Sequence, residues 1–376
     1  MASSATHPPH PRRLRHALKT LHLWLGLSLG VLLSLVMLAG GVLLFEQPLL
    51  AMAHPELVGR EVPAQAAQAH ALCVILASDE GRQLRSMAMP TDALSVFEGT
   101  AKNGDRYYFD ALDGHPVSVR HANRDPLLIL LEWHTHLLSG GTGETLLGVV
   151  AFTGLFMLLS GAWLYWPGRR RALTHLKPHT HPPILRWASW HRMVGVVAFP
   201  LLLVTIGTGT TMAYRGAVRT GLIQLFGEAQ PARPPKMSGD KGDVAWSAVL
   251  DAAHAAAPDA VITRISLPVR PGAALVMRVR RPGEWNPSGR STLFLNPYTA
   301  QVLGGEDATR LGPGARLANA LFPIHSAAVG GAVWRCLLAL GALLPTFMLV
   351  TGLLFWRARR RRPAAVARAA QNAADN

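Results

Sequence analysis

The sequence predicts a membrane α-helical fold: a four-transmembrane-helix bundle built from a duplicated half, with two α+β modules outside the membrane. Three observations predict it. The chain of 376 residues is 49% hydrophobic and only 16% charged. Four apolar runs are long enough to cross a bilayer core, which takes about 20 residues. Two of those runs repeat the other two at a fixed spacing. The runs extend from Leu21 to Phe45, Thr145 to Trp166, Met193 to Met212 and Val333 to Trp356.

Charge orients these spans. The formal net charge is +15. Asp and Glu are absent before Glu46, between Glu144 and Glu228, and between Asp307 and Asp375. The basic residues of the tails and middle loop are Arg12, Arg13, Arg15 and Lys19, then Arg169, Arg170, Arg171, Lys177, Arg186 and Arg192, then Arg357, Arg359 to Arg362 and Arg368. Against these stands Asp375 alone, and the remaining charges cancel, so the whole excess lies on one side of the membrane. The positive-inside rule makes that side cytoplasmic. Such a skirt orients a protein in a bilayer, and no nucleic-acid partner is expected. The first run resembles a signal peptide, with a basic start and "AMA" at Ala51 to Ala53. It is too long for a signal core and has a counterpart inside the chain, so a retained anchor is expected.

The expected organisation follows the chain. Residues 1–20 form a cytoplasmic tail, 21–45 the first span, and 46–133 the first outer module. Residues 134–166 form a histidine-bearing segment and the second span, 167–190 a cytoplasmic loop, and 191–215 the third span. Residues 216–320 form the second outer module, 321–356 another histidine segment with the fourth span, and 357–376 a cytoplasmic tail. In the first module the Ala-rich stretch 61–77 reads as a helix and "RYYFDALDGHPVSV" as strand, turn and strand. In the second, "AWSAVLDAAHAAAP" reads as a helix, with strands in "AVITRISLPV", "AALVMRVRR" and "STLFLNPYTAQVL".

The repeat is ungapped within each span. A shift of 169 carries His22, Gly26 and Gly40 onto His191, Gly195 and Gly209, and a shift of 191 carries His134 and Gly161 onto His325 and Gly352. Each half is therefore span, module, histidine, span. A parallel duplication of this kind implies a pseudo-twofold axis along the membrane normal.

Among the 16 histidines, topology pairs four. His22 and His191 stand at the cytoplasmic entrances of spans one and three. His134 and His325 stand on the outer side, shortly before spans two and four. Two imidazoles facing each other across a helix bundle can take both axial positions of a haem iron. The competing reading is an interfacial histidine, wet at one end and apolar at the other; four at symmetry-related places favour ligation. His136 rivals His134, but the shift of 191 carries it onto Ala327, so the repeat favours His134. The glycines leave room for a macrocycle or for close helix packing.

Other chemistry is weakly signalled. His175, His179 and His181 in "HLKPHTHPP" have only a faint metal-site spacing. Cys73 and Cys336 fall in different parts of the chain and form no CxxC motif. The spans contain no Asp or Glu, which argues against an ion-coupled carrier. No GxGxxG follows a strand, and "GGTGETLLG" lacks the lysine of a P-loop.

In "LHLWLGL", "LEWHTHLLSGGTGETLLG", "LLSGAWLYWPGRRR", "SWHRMVGVVAF" and "FPIHS" the chain resembles the PepSY-associated transmembrane helix family of bacterial inner-membrane proteins. The resemblance runs from about residue 16 to 357. It implies a multi-pass inner-membrane protein with both termini cytoplasmic and PepSY-like modules in the periplasm. It further implies two b-type haems, with His22, His191, His134 and His325 as axial ligands of the haem irons. The activity implied is that of a dihaem reductase, an oxidoreductase that passes electrons across the membrane to a ferric siderophore and releases Fe(II). The donor would be a quinol or a cytoplasmic reductase. The alternative is a non-catalytic scaffold whose PepSY modules bind peptides or regulate a peptidase; its histidines would be dispensable.

Overall fold

The computed structural model describes residues 11–166, 176–235, 237, 244–268 and 272–374. In chain order the elements are α1 (Pro11–Leu27), α2 (Leu29–Leu43), α3 (Glu46–Ala53), α4 (Gln65–Ala77), β1 (Leu84–Ala88), β2 (Val96–Ala101), β3 (Arg106–Asp110), β4 (Pro116–Arg120), α5 (Pro126–His136) and α6 (Gly140–Tyr165). They continue as α7 (Pro183–Val197), α8 (Phe199–Ala213), α9 (Arg215–Leu225), α10 (Trp246–Ala256), β5 (Val261–Ser266), β6 (Leu275–Arg280), β7 (Ser291–Leu295), β8 (Val302–Glu306), α11 (Pro313–His325) and α12 (Gly331–Ala374). The chain divides into two compact units. One comprises Met1–Val42, Trp133–Ala213 and Ala332–Asn376; the other comprises Leu43–Glu132 and Tyr214–Gly331.

The first unit is helical. Helix α6 and the stretch Gly331–Arg361 of α12 are each long and apolar enough to cross a bilayer. The other two apolar runs qualify only as bent pairs: α1 with α2 at 53°, and α7 with α8 at 67°. The breaks have local causes. The Ser28 hydroxyl donates to the Trp24 carbonyl at 2.7 Å, a back-bond that competes with the helical ladder and bends it. In the second pair Pro200 lacks an N–H and crowds the preceding turn, so the helix is interrupted at Ala198. Both bent helices also begin earlier than the apolar runs suggest. Helix α1 starts at Pro11 and α7 at Pro183, so His22 and His191 lie inside helices rather than opening them. Apolar side chains such as Phe152, Leu340 and Leu343 point outward from this unit, as lipid-facing positions require.

The second unit is built on one antiparallel eight-stranded sheet of order β4-β3-β2-β1-β5-β6-β7-β8. The sequence suggests two separate modules, whereas here their sheets are continuous through the β1–β5 pairing, with Met87 opposite Ile265. Strand residues alternate between faces. On one face Met87, Phe97, Phe109, Ile265, Met277 and Leu293 form a core with Leu72 and Ile75 of α4 and Val249 and Leu250 of α10. Each large apolar side chain buried there contributes about 1.5–3 kcal/mol. The opposite face carries polar residues, Arg264 and Arg278 among them.

Carboxylates fix the N-termini of the two histidine-bearing helices of the chain's insertions. Asp125 Oδ1 accepts the Leu128 amide of α5 at 2.9 Å. The same carboxylate grips the Arg120 guanidinium at 2.9 and 2.7 Å, and Arg120 donates to the Tyr108 hydroxyl at 3.0 Å. Glu228 plays the equivalent part for α11, accepting the Gly314 and Ala315 amides at 2.5 and 3.0 Å. Negative charge at a helix start satisfies orphan amides and complements the helix dipole. Cys73 and Cys336 are both free.

Candidate functional site: paired imidazoles in the helical unit

Within the helical unit, α1 and α7 bring His22 and His191 together. Their ring centroids are 6.4 Å apart and their planes are nearly perpendicular, at 84°. Each ring is held from the side by a hydroxyl. His22 Nδ1 lies 2.9 Å from Ser160 Oγ on α6, and His191 Nδ1 lies 3.1 Å from Thr351 Oγ1 on α12.

Those hydroxyls can fix where the imidazole protons sit. Ser160 Oγ lies 3.2 Å from the Met157 carbonyl, and Thr351 Oγ1 lies 2.8 Å from the Phe347 carbonyl. A hydroxyl has one proton to give. Where that proton goes to the carbonyl, the oxygen accepts from Nδ1–H and Nε2 keeps the lone pair that a metal ligand needs.

Glycine eases the fit of one ring: a Cβ at Gly161 would lie 3.2 Å from His22 Cε1, whereas one at Gly352 would make ordinary contact with His191 Cε1 at 3.5 Å. A second pair of contacts repeats as well: a Cβ at Gly26 would meet Met157 Cε at 2.9 Å, and one at Gly195 would meet Met348 Cε at 3.0 Å. Sequence reasoning found the histidines and glycines but missed Ser160 and Thr351. The signal was available, because the shift of 191 that carries Gly161 onto Gly352 also carries Ser160 onto Thr351 and Met157 onto Met348.

Imidazole nitrogens are donors of the kind that iron and other first-row metals take. Two nitrogen donors alone suit a cofactor that brings its own equatorial ligands, as haem does.

His134, in the last turn of α5, rests against α2. Its Nδ1 donates to the Val36 carbonyl at 2.9 Å; a carbonyl only accepts, so here too Nε2 keeps its lone pair. A Cβ at Gly40 would sit 2.6 Å from His134 Cε1, so only glycine admits the ring at this place. His136 instead has its Nδ1 2.9 Å from Thr135 Oγ1. His325 is the last residue of α11, in the sheet unit. Among the described residues no group of three or more His, Cys, Asp or Glu is placed to hold a metal ion. Of the "HLKPHTHPP" histidines, His175 lies outside the described residues.

Two continuous apolar helices, two bent ones and a strand-bearing unit define a transmembrane protein. The family model described as PepSY-associated TM region matches residues 19–359, and the chain belongs to that family. A comparison with curated proteins finds none that matches.

Proposed function

We propose that the protein is a dihaem oxidoreductase of the bacterial inner membrane that delivers electrons to siderophore-bound Fe(III) in the periplasm and releases Fe(II). The observation that carries this reading is the His22–His191 pair, two rings 6.4 Å apart with each Nδ1 hydrogen-bonded to a hydroxyl. In this reading His22 and His191 would hold one b-type haem, and His134 and His325, paired by the sequence repeat, the other. A duplicated half-chain supplies one histidine of each pair. The basic tails and loop support a reading with cytoplasmic termini and a periplasmic sheet unit. Haem, when bound, supplies a one-electron iron couple.

The chain's own residues do the rest. Ser160 and Thr351 hold the Nδ1 protons and so set ring orientation and Nε2 basicity. The Val36 carbonyl does the same for His134. Gly40 and Gly161 open the space that the His134 and His22 rings need. Reducing Fe(III) to Fe(II) loosens the grip of hard oxygen ligands on the siderophore's iron, which favours release. The electron donor is a quinol or a cytoplasmic reductase.

The test is an absorption spectrum of the detergent-purified protein, oxidised and then dithionite-reduced, with a pyridine haemochrome assay. A sharp reduced α-band with about two b haems per chain is expected. A colourless protein after expression with ample haem would overturn the proposal and favour a PepSY scaffold. The hydroxyls offer a finer check. Ser160→Ala and Thr351→Val remove the acceptor without adding bulk, and each is expected to weaken haem retention about 10–100-fold, as loss of an outer-shell partner does. Haem transfer to a competing acceptor measures it; unchanged transfer rates would show the hydroxyls to be bystanders.

A further inference from the structure

The sheet face turned away from α4 and α10 gathers arginines that lack carboxylate partners. Register sets Glu98, Ala88, Arg264, Arg278, Thr292 and Glu306 in one row across β2, β1, β5, β6, β7 and β8. Arg264 and Arg278 are thus direct cross-strand neighbours on two central strands. Like charges opposed in this way destabilise a sheet. Arg290, immediately before β7, falls on the same face by the two-residue alternation that places Thr292 there.

The carboxylates nearby are committed elsewhere. Glu98 pairs with Arg106 at 3.3 Å, and Glu306 pairs with Arg219 at 3.5 Å. Glu284 accepts from the backbone amides of Arg290 and Ser291 and from the Ser291 hydroxyl. Among the described residues, no carboxylate lies within 4.0 Å of the guanidinium of Arg264, Arg278 or Arg290. Arg264 donates only to the Ser86 hydroxyl, at 3.2 Å. The Nε of Arg290 is buried with no hydrogen-bond partner, and its guanidinium sits 6.0 Å from the Phe322 ring centre. Burial, then Arg278, Arg219 and Arg215, pulls Arg290 below its ordinary value. Burial lowers Arg264 as well, with Arg106 and Arg278 adding to it and Glu98 partly offsetting it.

The geometry points to an anion-binding site centred on Arg264, Arg278 and Arg290, whose ligand is a ferric chelate of negative net charge bearing several carboxylates. A half-buried, self-repelling cationic cluster is stabilised by an anion that the chain does not provide. Each guanidinium offers a planar fork that meets an oxyanion bidentately. Three such forks match a ligand with several anionic oxygens better than a single phosphate. Naming the anion a chelate rests on the reductase reading; the anion site itself does not. A neutral hydroxamate chelate has nothing to satisfy these charges.

Calorimetric titration of the full chain in detergent tests this, with ferric citrate, a neutral ferric trihydroxamate and glycerol phosphate as separate probes. Ferric citrate is expected to bind, more weakly as salt is raised. Arg264→Gln and Arg278→Gln are each expected to weaken it about ten- to a hundredfold, the loss of a charge-assisted hydrogen bond. Their unfolding temperatures should hold or rise, because one of two opposed like charges is gone. Arg264→Lys, which keeps charge but loses the fork, should fall between wild type and Arg264→Gln, and it serves if the glutamine variant does not fold. Equal binding of the neutral chelate, binding of glycerol phosphate alone, or full ferric citrate affinity in both glutamine variants would overturn the site. Binding needs neither haem nor reduction, so the two ideas fail separately. A haem-loaded protein that ignores ferric citrate sinks this inference alone, and a haem-free protein that binds it sinks the reductase reading alone.

Discussion

His191→Ala is expected to remove one of the two proposed haems from the purified protein and leave the other in place. His191 and His22 face each other at 6.4 Å, so either substitution leaves a single imidazole to hold the iron. His22→Ala should therefore give the same haem count, and the double variant should fall no lower than either single one, as expected for residues acting as one unit. Combining His191→Ala with His134→Ala reaches both proposed sites and should leave the protein without haem. Pyridine haemochrome per chain measures all four. If His191→Ala retains both haems with an unchanged spectrum, the imidazoles are interfacial residues and the ligand assignment fails.

The second large effect lies in the sheet unit. Arg120 is 3% exposed, bonded to both oxygens of Asp125 and to the Tyr108 hydroxyl. Arg120→Ala leaves a half-buried carboxylate and a buried phenol short of a partner, and a loss of about 2–3 kcal/mol is expected. Denaturant unfolding of this unit, followed by tryptophan fluorescence, measures it; a loss under about 1 kcal/mol would show the pair to be weak. The pH dependence has a definite sign. Burial alone would raise the Asp125 carboxyl, but the Arg120 bonds and the Leu128 amide outweigh it and hold it below the ordinary range. A depressed carboxylate contributes stability above its unfolded pKa, about 3.9, and loses it as pH falls through the folded value. The gap between wild type and Arg120→Ala should therefore narrow as pH drops from about 5 to about 2. A gap that stays constant across that range would remove Asp125 from the explanation.

The sequence made some of this architecture legible and hid the rest for physical reasons. Unbroken Leu, Val and Gly runs announce spans because lipid demands apolar side chains throughout. The breaks at Ser28 and Ala198 were hidden because a serine back-bond or one proline changes direction without changing hydropathy. Strands β3 and β4 were readable from "RYYFDALDGHPVSV", whose aromatic and β-branched residues flank a turn. Strands β1 and β2, in "LRSMA" and "VFEGTA", were not, since Ala, Ser and Gly carry little strand preference and tertiary pairing decides. The join of β1 to β5 could not be read at all, because no local pattern names a partner so far along the chain. At the candidate site, the repeat exposed the histidines and glycines. The hydroxyls went unnoticed because serine and threonine in apolar helices usually bond only their own backbone, which Ser160 and Thr351 also do.

The shared sheet sets an order on how the protein is made. Strand β1 finishes its hydrogen bonding on one side only when β5 exists, and Arg264 and Ser86, which bond across that seam, are 178 residues apart. At roughly 5–20 residues per second of synthesis, the first half waits about ten to thirty-five seconds with an open strand edge. Both α6 and the α7–α8 pair must be threaded before that edge closes. An unpaired edge is an invitation to foreign strands, so the nascent chain is most vulnerable to misassembly during the interval between its two halves.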